Sequence, residues 1–144
     1  AYHPRLPLDR VVETDPPAEL PAGEVVVLQP YGSLFFAAAP VFEASLPVVT
    51  DASRHSVVIL RMRGRSELGT TFMDVLSRYA QSLADVGSKL VVVSTNERIE
   101  EQLAVTGISD LVGPQNVYRG DHRVGATVRR AYDDAVAWVE AGRG

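Results

Sequence analysis

The residues of this chain whose types could do chemistry are three histidines, two pairs of adjacent carboxylates and one basic, glycine-bearing loop. His3, His55 and His122 fall in a proline-rich opening, a polar loop and a stretch beside a helix start. None sits in an HExxH or H-x-E pattern, and no G-x-S-x-G elbow occurs, so neither a metal-bound water nor a serine nucleophile is indicated. Glu100-Glu101 and Asp133-Asp134 fall in helical stretches. Adjacent acids on a helix do not face each other, so both pairs read as solvated faces. The chain has no cysteine, which removes thiolate catalysis, disulfides and cysteine-bound zinc. No catalytic residue and no metal site is expected, and the chain does not read as an enzyme.

The loop needs closer reading. Gly64-Arg65-Ser66-Glu67-Leu68-Gly69-Thr70-Thr71 follows the apolar run Val57-Val58-Ile59-Leu60 and opens an amphipathic helix. Its two glycines have the spacing of a phosphate loop, but Thr70 stands where the lysine that meets the β- and γ-phosphates belongs. Nucleotide hydrolysis is therefore not indicated. A helix N-terminus still offers N–H groups to an anion, and Arg61, Arg63 and Arg65 would share one face if the strand continued. These residues, with Gly64, Gly69, Thr70 and Thr71, form the candidate loop for weak anion or nucleotide binding. Thr71 and Asp74 have the spacing of a helix cap. Thr70 and Thr71 are also candidate phosphorylation positions, because a phosphoryl group there would meet a helix dipole and nearby arginines.

The elements that must hold this loop follow from patterning over 144 residues, about the size of one domain. Net charge is −4, from 18 acids and 14 bases, a poor footprint for nucleic acid. No apolar run approaches the roughly 20 residues that span a bilayer. Residues 1–22 carry Pro4, Pro7, Pro16, Pro17 and Pro21 and read as an extended tether, leaving 23–144 as the folded domain. Val25–Leu28 and Ser33–Phe36 read as strands joined by a Pro–Gly turn, and Ala37–Leu46 as a short helix stopped by Pro47. Ser56–Leu60 and Lys89–Val93 read as buried strands.

Between those two strands, Phe72, Leu76, Tyr79, Leu83 and Val86 make one helical stripe ending at Gly87. Ser94 and Glu97 stand at capping-box spacing for a helix lined by Ile99, Leu103 and Thr106 and ended by Gly107. Val117-Tyr118 suggests a short strand, and Asp121 a cap for a last helix striped by Val124, Val128, Ala131, Ala135, Trp138 and Val139. Alternation of this kind predicts an α/β fold: a mixed, mostly parallel sheet of four to five strands covered by four to five helices.

The string Gly32-Ser33-Leu34-Phe35-Phe36-Ala37-Ala38-Ala39-Pro40-Val41-Phe42 resembles the G-x-L-F-F-A-N-A-x-x-F opening of STAS domains in SulP-type anion permeases. Gly32, Leu34, Phe35, Phe36, Ala37 and Phe42 are the positions that carry the likeness. Val57–Leu60 with Gly64 and Gly69-Thr70-Thr71 resembles the family's strand and loop. Gly87–Val93 and Val105–Ile108 resemble its next strand and helix end. The resemblance implies no catalysis and no tightly held cofactor. It implies a regulatory or assembly domain at the cytoplasmic face of the cell membrane, within an integral sulfate or related anion transporter. Implied partners are the membrane domain of the same polypeptide, with a second STAS domain or an acidic cytosolic protein, and no nucleic acid. The alternative is a free-standing anti-sigma factor antagonist phosphorylated at Thr70 by a partner kinase. Arg61 stands where the family usually has Asp, and Phe72 where it often has Gly, which is expected to crowd the helix start. A cationic loop suits an anion or acidic partner better than it suits a kinase substrate.

Overall fold

A computed structural model of the protein describes residues 18–28, 39–62, 69–94, 97–120 and 126–142. Four strands, β1 (Val25–Leu28), β2 (Val57–Met62), β3 (Lys89–Ser94) and β4 (Val117–Arg119), form one sheet in the order β1-β2-β3-β4. Every described pairing is parallel, with Val25 beside Val57, Val57 beside Lys89, and Val92 beside Val117. Five helices among the described residues accompany it: α1 (Ala39–Ser45), α2 (Thr70–Asp85), α3 (Glu97–Val105), α4 (Ile108–Val112) and α5 (Ala126–Gly142). A 3-10 turn over Pro114–Asn116 leads into β4. The expected α/β class is present, and the four strands and five helices among the described residues fall within the expected numbers.

Parallel neighbours in simple sequential order need crossovers of one hand, so the connecting helices gather on one face. Val26, Leu28, Val58, Leu60, Met62, Leu90 and Val92 point to that face and pack with Phe42, Leu76, Leu83, Ile99, Leu103 and Ile108. Alternate strand residues point the other way. Val25, Val57, Ile59, Val91 and Val93 meet Val128, Ala131, Tyr132, Ala135 and Val139 of α5. The stack is helices, sheet, helix. The β-branched runs read in the sequence are buried because both faces are covered.

Local chemistry sets the helix ends. α2 stops where Gly87 takes φ +74°. There Gly87 N–H donates to the Ala84 carbonyl and Ser88 N–H to the Leu83 carbonyl, a Schellman pattern. Gly107, at φ +83°, ends α3 and starts α4 at once. Two expectations change. Thr106 is exposed and its hydroxyl donates back to the Gln102 carbonyl at 2.7 Å, so Ile108 of α4 supplies the apolar contact instead. Ser94 is the buried last residue of β3, and the residues between it and Glu97 lie outside those described, so the cap expected from the Ser94–Glu97 spacing lies outside them too. At the front of the chain, Ala18–Ala22 belongs to the packed body. Leu20 is fully buried, its N–H donates to the Val48 carbonyl, and Val48 N–H donates to the Ala18 carbonyl. The strand expected at Ser33–Phe36 and the cap expected at Asp121 lie outside the described residues, as do residues 1–17.

Phe72 does not crowd the start of α2. It turns into the core and stacks on Phe42 of α1, centroids 4.2 Å apart and planes at 25°. Phe72→Ala would remove this stack and leave a cavity, with an expected loss of about 3–5 kcal/mol of folding stability. Urea unfolding of the variant against the parent chain checks the value.

Candidate functional site

The first turn of α2 is the site singled out by the sequence. Gly69 precedes it in an extended conformation (φ −75°, ψ 161°) and no side chain caps the helix. Thr70 and Thr71 are its first two helical residues, both exposed. The expected Thr71–Asp74 cap is therefore not formed. A capping hydroxyl must stand just before the first helical residue, and the helix begins two residues too soon for that. Beneath the two hydroxyls the turn is anchored by Phe72, Met73 and the Met73 N–H bond to the Gly69 carbonyl.

Arg61 does not join this turn in the manner expected. It is a half-buried residue of β2, beside Val93 in register. Alternation from Val57 and Ile59 aims it at the face that α5 covers, whereas α2 packs on the opposite face. Arg63, Gly64 and Arg65 lie outside the described residues, as do Gly32, Leu34, Phe35, Phe36 and Ala37. Of the family-like opening, Phe42 is described, and it packs directly under the α2 turn through Phe72.

Two clusters were not apparent from local spacing. The first is a row along α5. Arg130, Asp134 and Trp138 are spaced one turn apart, and they meet Tyr118, Lys89 and His55 in turn. The Arg130 guanidinium lies 5.3 Å from the Tyr118 ring centroid, and Tyr118 OH donates to an Asp134 carboxylate oxygen at 2.6 Å. Lys89, the sole lysine of the chain, places Nζ 4.3 Å from the centroid of Trp138, the sole tryptophan. His55 stacks on Trp138 with centroids 3.8 Å apart.

Burial holds the Lys89 ammonium below its ordinary pKa, and the Asp134 charge partly restores it. Burial, followed by the bond to Asp134, pushes Tyr118 up to about 12. Burial also raises Tyr79, whose hydroxyl donates to the Pro47 carbonyl, and Glu100, which pairs with Arg119. Lys89 and Tyr118 flank Asp134, whereas Tyr79 and Glu100 lie on α2 and α3 with other partners.

The second cluster is a set of buried hydroxyls at the incoming ends of the strands. Ser53, Ser56 and Ser88 are each almost fully buried. Ser88 Oγ donates to the Ser53 carbonyl and accepts from Ser56 N–H, while Ser53 Oγ accepts from Thr50 N–H. A buried hydroxyl is costly unless paired, and here each both donates and accepts. The signal that could have found two of them is positional: Ser56 and Ser88 stand immediately before the first residues of β2 and β3.

The Tyr118 shift has a consequence at high pH. An unfolded tyrosine ionises near pH 10, whereas folded Tyr118 holds its proton to about 12. Between those values the unfolded chain binds fewer protons, so stability falls as pH rises. Tyr118→Phe should make that decline shallower, as read from urea midpoints on either side of pH ~10. An equally steep decline would contradict the assignment.

With the geometry in place, comparison with known proteins is informative. The family model of the STAS domain matches residues 19–131. Among solved structures, the crystal structure of a sulfate transporter family protein from Wolinella succinogenes is similar at TM-score 0.63 and 25% identity, covering 84% of this chain and 91% of that one. The STAS domain of a SulP transporter from Vibrio cholerae is similar at TM-score 0.56 and 29% identity, covering 85% of this chain and 88% of that one. No curated protein is similar enough in sequence to count as a relative. The parallel sheet, the helix following its second strand and the family match from Glu19 onward agree: this chain belongs to the STAS domain family.

Proposed function

We propose that this domain is the regulatory and assembly part of a SulP-type transporter of sulfate or a related anion, held at the cytoplasmic face of the membrane. The observation that carries the reading is likeness along most of the chain to two domains drawn from such transporters. No described helix is long and apolar enough to cross a membrane, so transport itself would fall to another part of the same polypeptide. The domain's contribution is contact and position rather than catalysis. Its partners are that membrane part and, through exposed helices, a second STAS domain or an acidic protein. The gene upstream of Ala1 tests this directly: a run of hydrophobic spans supports it. A start codon close to Ala1 would overturn it in favour of a free-standing antagonist phosphorylated at Thr70.

The first turn of α2 is the proposed regulatory point. Exposed Thr70 and Thr71 follow an extended Gly69 with no side-chain cap, and the positive end of a helix dipole favours an anion or a phosphoryl group there. Titration with phosphate, sulfate and nucleotide, followed by NMR, should move the amides of Gly69 to Phe72 first. Absence of any shift at millimolar ligand would rule the site out.

A further inference from the structure

The turn Ser53–Ser56 holds two parts of the chain that lie far apart in sequence. On one side it grips the incoming segment. Ser53 Oγ donates to the Leu20 carbonyl at 2.6 Å, and Ser56 Oγ to the Pro21 carbonyl at 2.5 Å. Gly23 N–H donates to the Arg54 carbonyl at 3.0 Å, and Glu24 N–H to Ser56 Oγ at 3.1 Å. Leu20 is sealed beneath these bonds.

On the other side, one residue along, the same turn grips the end of α5. The His55 ring lies on Trp138 with planes at 23°. Its Nε2 is 3.0 Å from the Trp138 carbonyl oxygen. A carbonyl only accepts, so Nε2 carries the proton. Gly142, one turn further on, leaves the ring its room, because a Cβ there would fall on the imidazole. His55 reaches this position in a left-handed conformation, φ +54°, unique among described non-glycine residues. Such a conformation persists at a side-chain-bearing residue only where its surroundings over-determine it.

We infer that Ser53–Ser56 is a coupling joint between the incoming segment and the C-terminal end of α5. The bonds to Leu20, Pro21 and Gly23 hold the backbone on either side of His55, and the Trp138 stack holds its side chain. Removing either set lets His55 relax to an ordinary backbone conformation, which swings the imidazole off Trp138 or frees the carbonyl of Arg54. A displacement of the chain at Ala18 is thereby delivered to α5, the helix that packs on the second face of the sheet. Coupling of this kind is reciprocal. The inference rests on these contacts and stands apart from the transporter reading.

The experiment uses the whole 144-residue chain. In His55→Ala, amide hydrogen exchange at Leu20 and Gly23 should accelerate by about tenfold, with Ile59 and Val91 changed by less than about twofold. In Leu20→Ala, acrylamide should quench Trp138 fluorescence at least about twofold more efficiently, at unchanged exchange of Ile59 and Val91. Unaltered exchange at Leu20 and Gly23 in His55→Ala would overturn the inference. So would unaltered quenching in a folded Leu20→Ala. Equal acceleration at Ile59 and Val91 in His55→Ala would also overturn it, because general loosening and not the joint would then carry the effect.

Discussion

Burial of β2 on both faces is the constraint from which the rest of the molecule follows. Val57, Val58, Ile59 and Leu60 expose 1% of their surface or less, which requires cover on both sides of the sheet. Sequential parallel order sends α1 to α4 to one face. The other face is then left to whatever follows β4. Among the described helices, α5 does there what four share on the opposite side, and its seventeen residues span all four strands. Its apolar stripe fills the middle. Its edge is fixed by contacts that are partly polar: Arg130 and Asp134 at Tyr118, Trp138 at Lys89 and His55.

A parallel sheet also brings the starts of its strands together at one end, where each chain segment arrives through the interior. Arriving backbone needs hydrogen-bond partners there. The three buried serines supply them with small side chains that fit between strands, and each hydroxyl is used twice. This is why Leu20 can be buried directly beside Pro21: the carbonyls of both residues are satisfied by Ser53 and Ser56. The domain is thus anchored at Ala18–Glu24 by specific bonds rather than beginning loosely at Gly23.

What was legible in the sequence is what local periodicity can encode. The β-branched runs of β2 and β3, the α2 stripe from Phe72 to Leu83 and the stop at Gly87 needed only neighbouring residues. The misreadings have a common cause. Thr71–Asp74 satisfies a capping spacing, but spacing does not say where a helix starts, and a shift of two residues voids a cap. Leu20 was hidden among prolines because composition alone cannot report a partner such as Val48. The joint at His55 pairs position 55 with 138 and position 53 with 20, contacts that no window along the chain contains. The candidate loop is legible only in part: Thr70 and Thr71 are exposed at a helix start as expected, whereas Arg61 goes to the opposite face because strand alternation outranks nearness in sequence.

The central claim is that this domain works through position and contact, with its attachment as the working part. For the transporter proposed above, the most direct measurement is sulfate uptake into proteoliposomes by the polypeptide that carries this domain, comparing the unaltered protein with His55→Ala at equal protein content. The account predicts a transport rate altered by at least about twofold with β2 and β3 still folded. An unchanged rate, with the joint shown to be released, would contradict it.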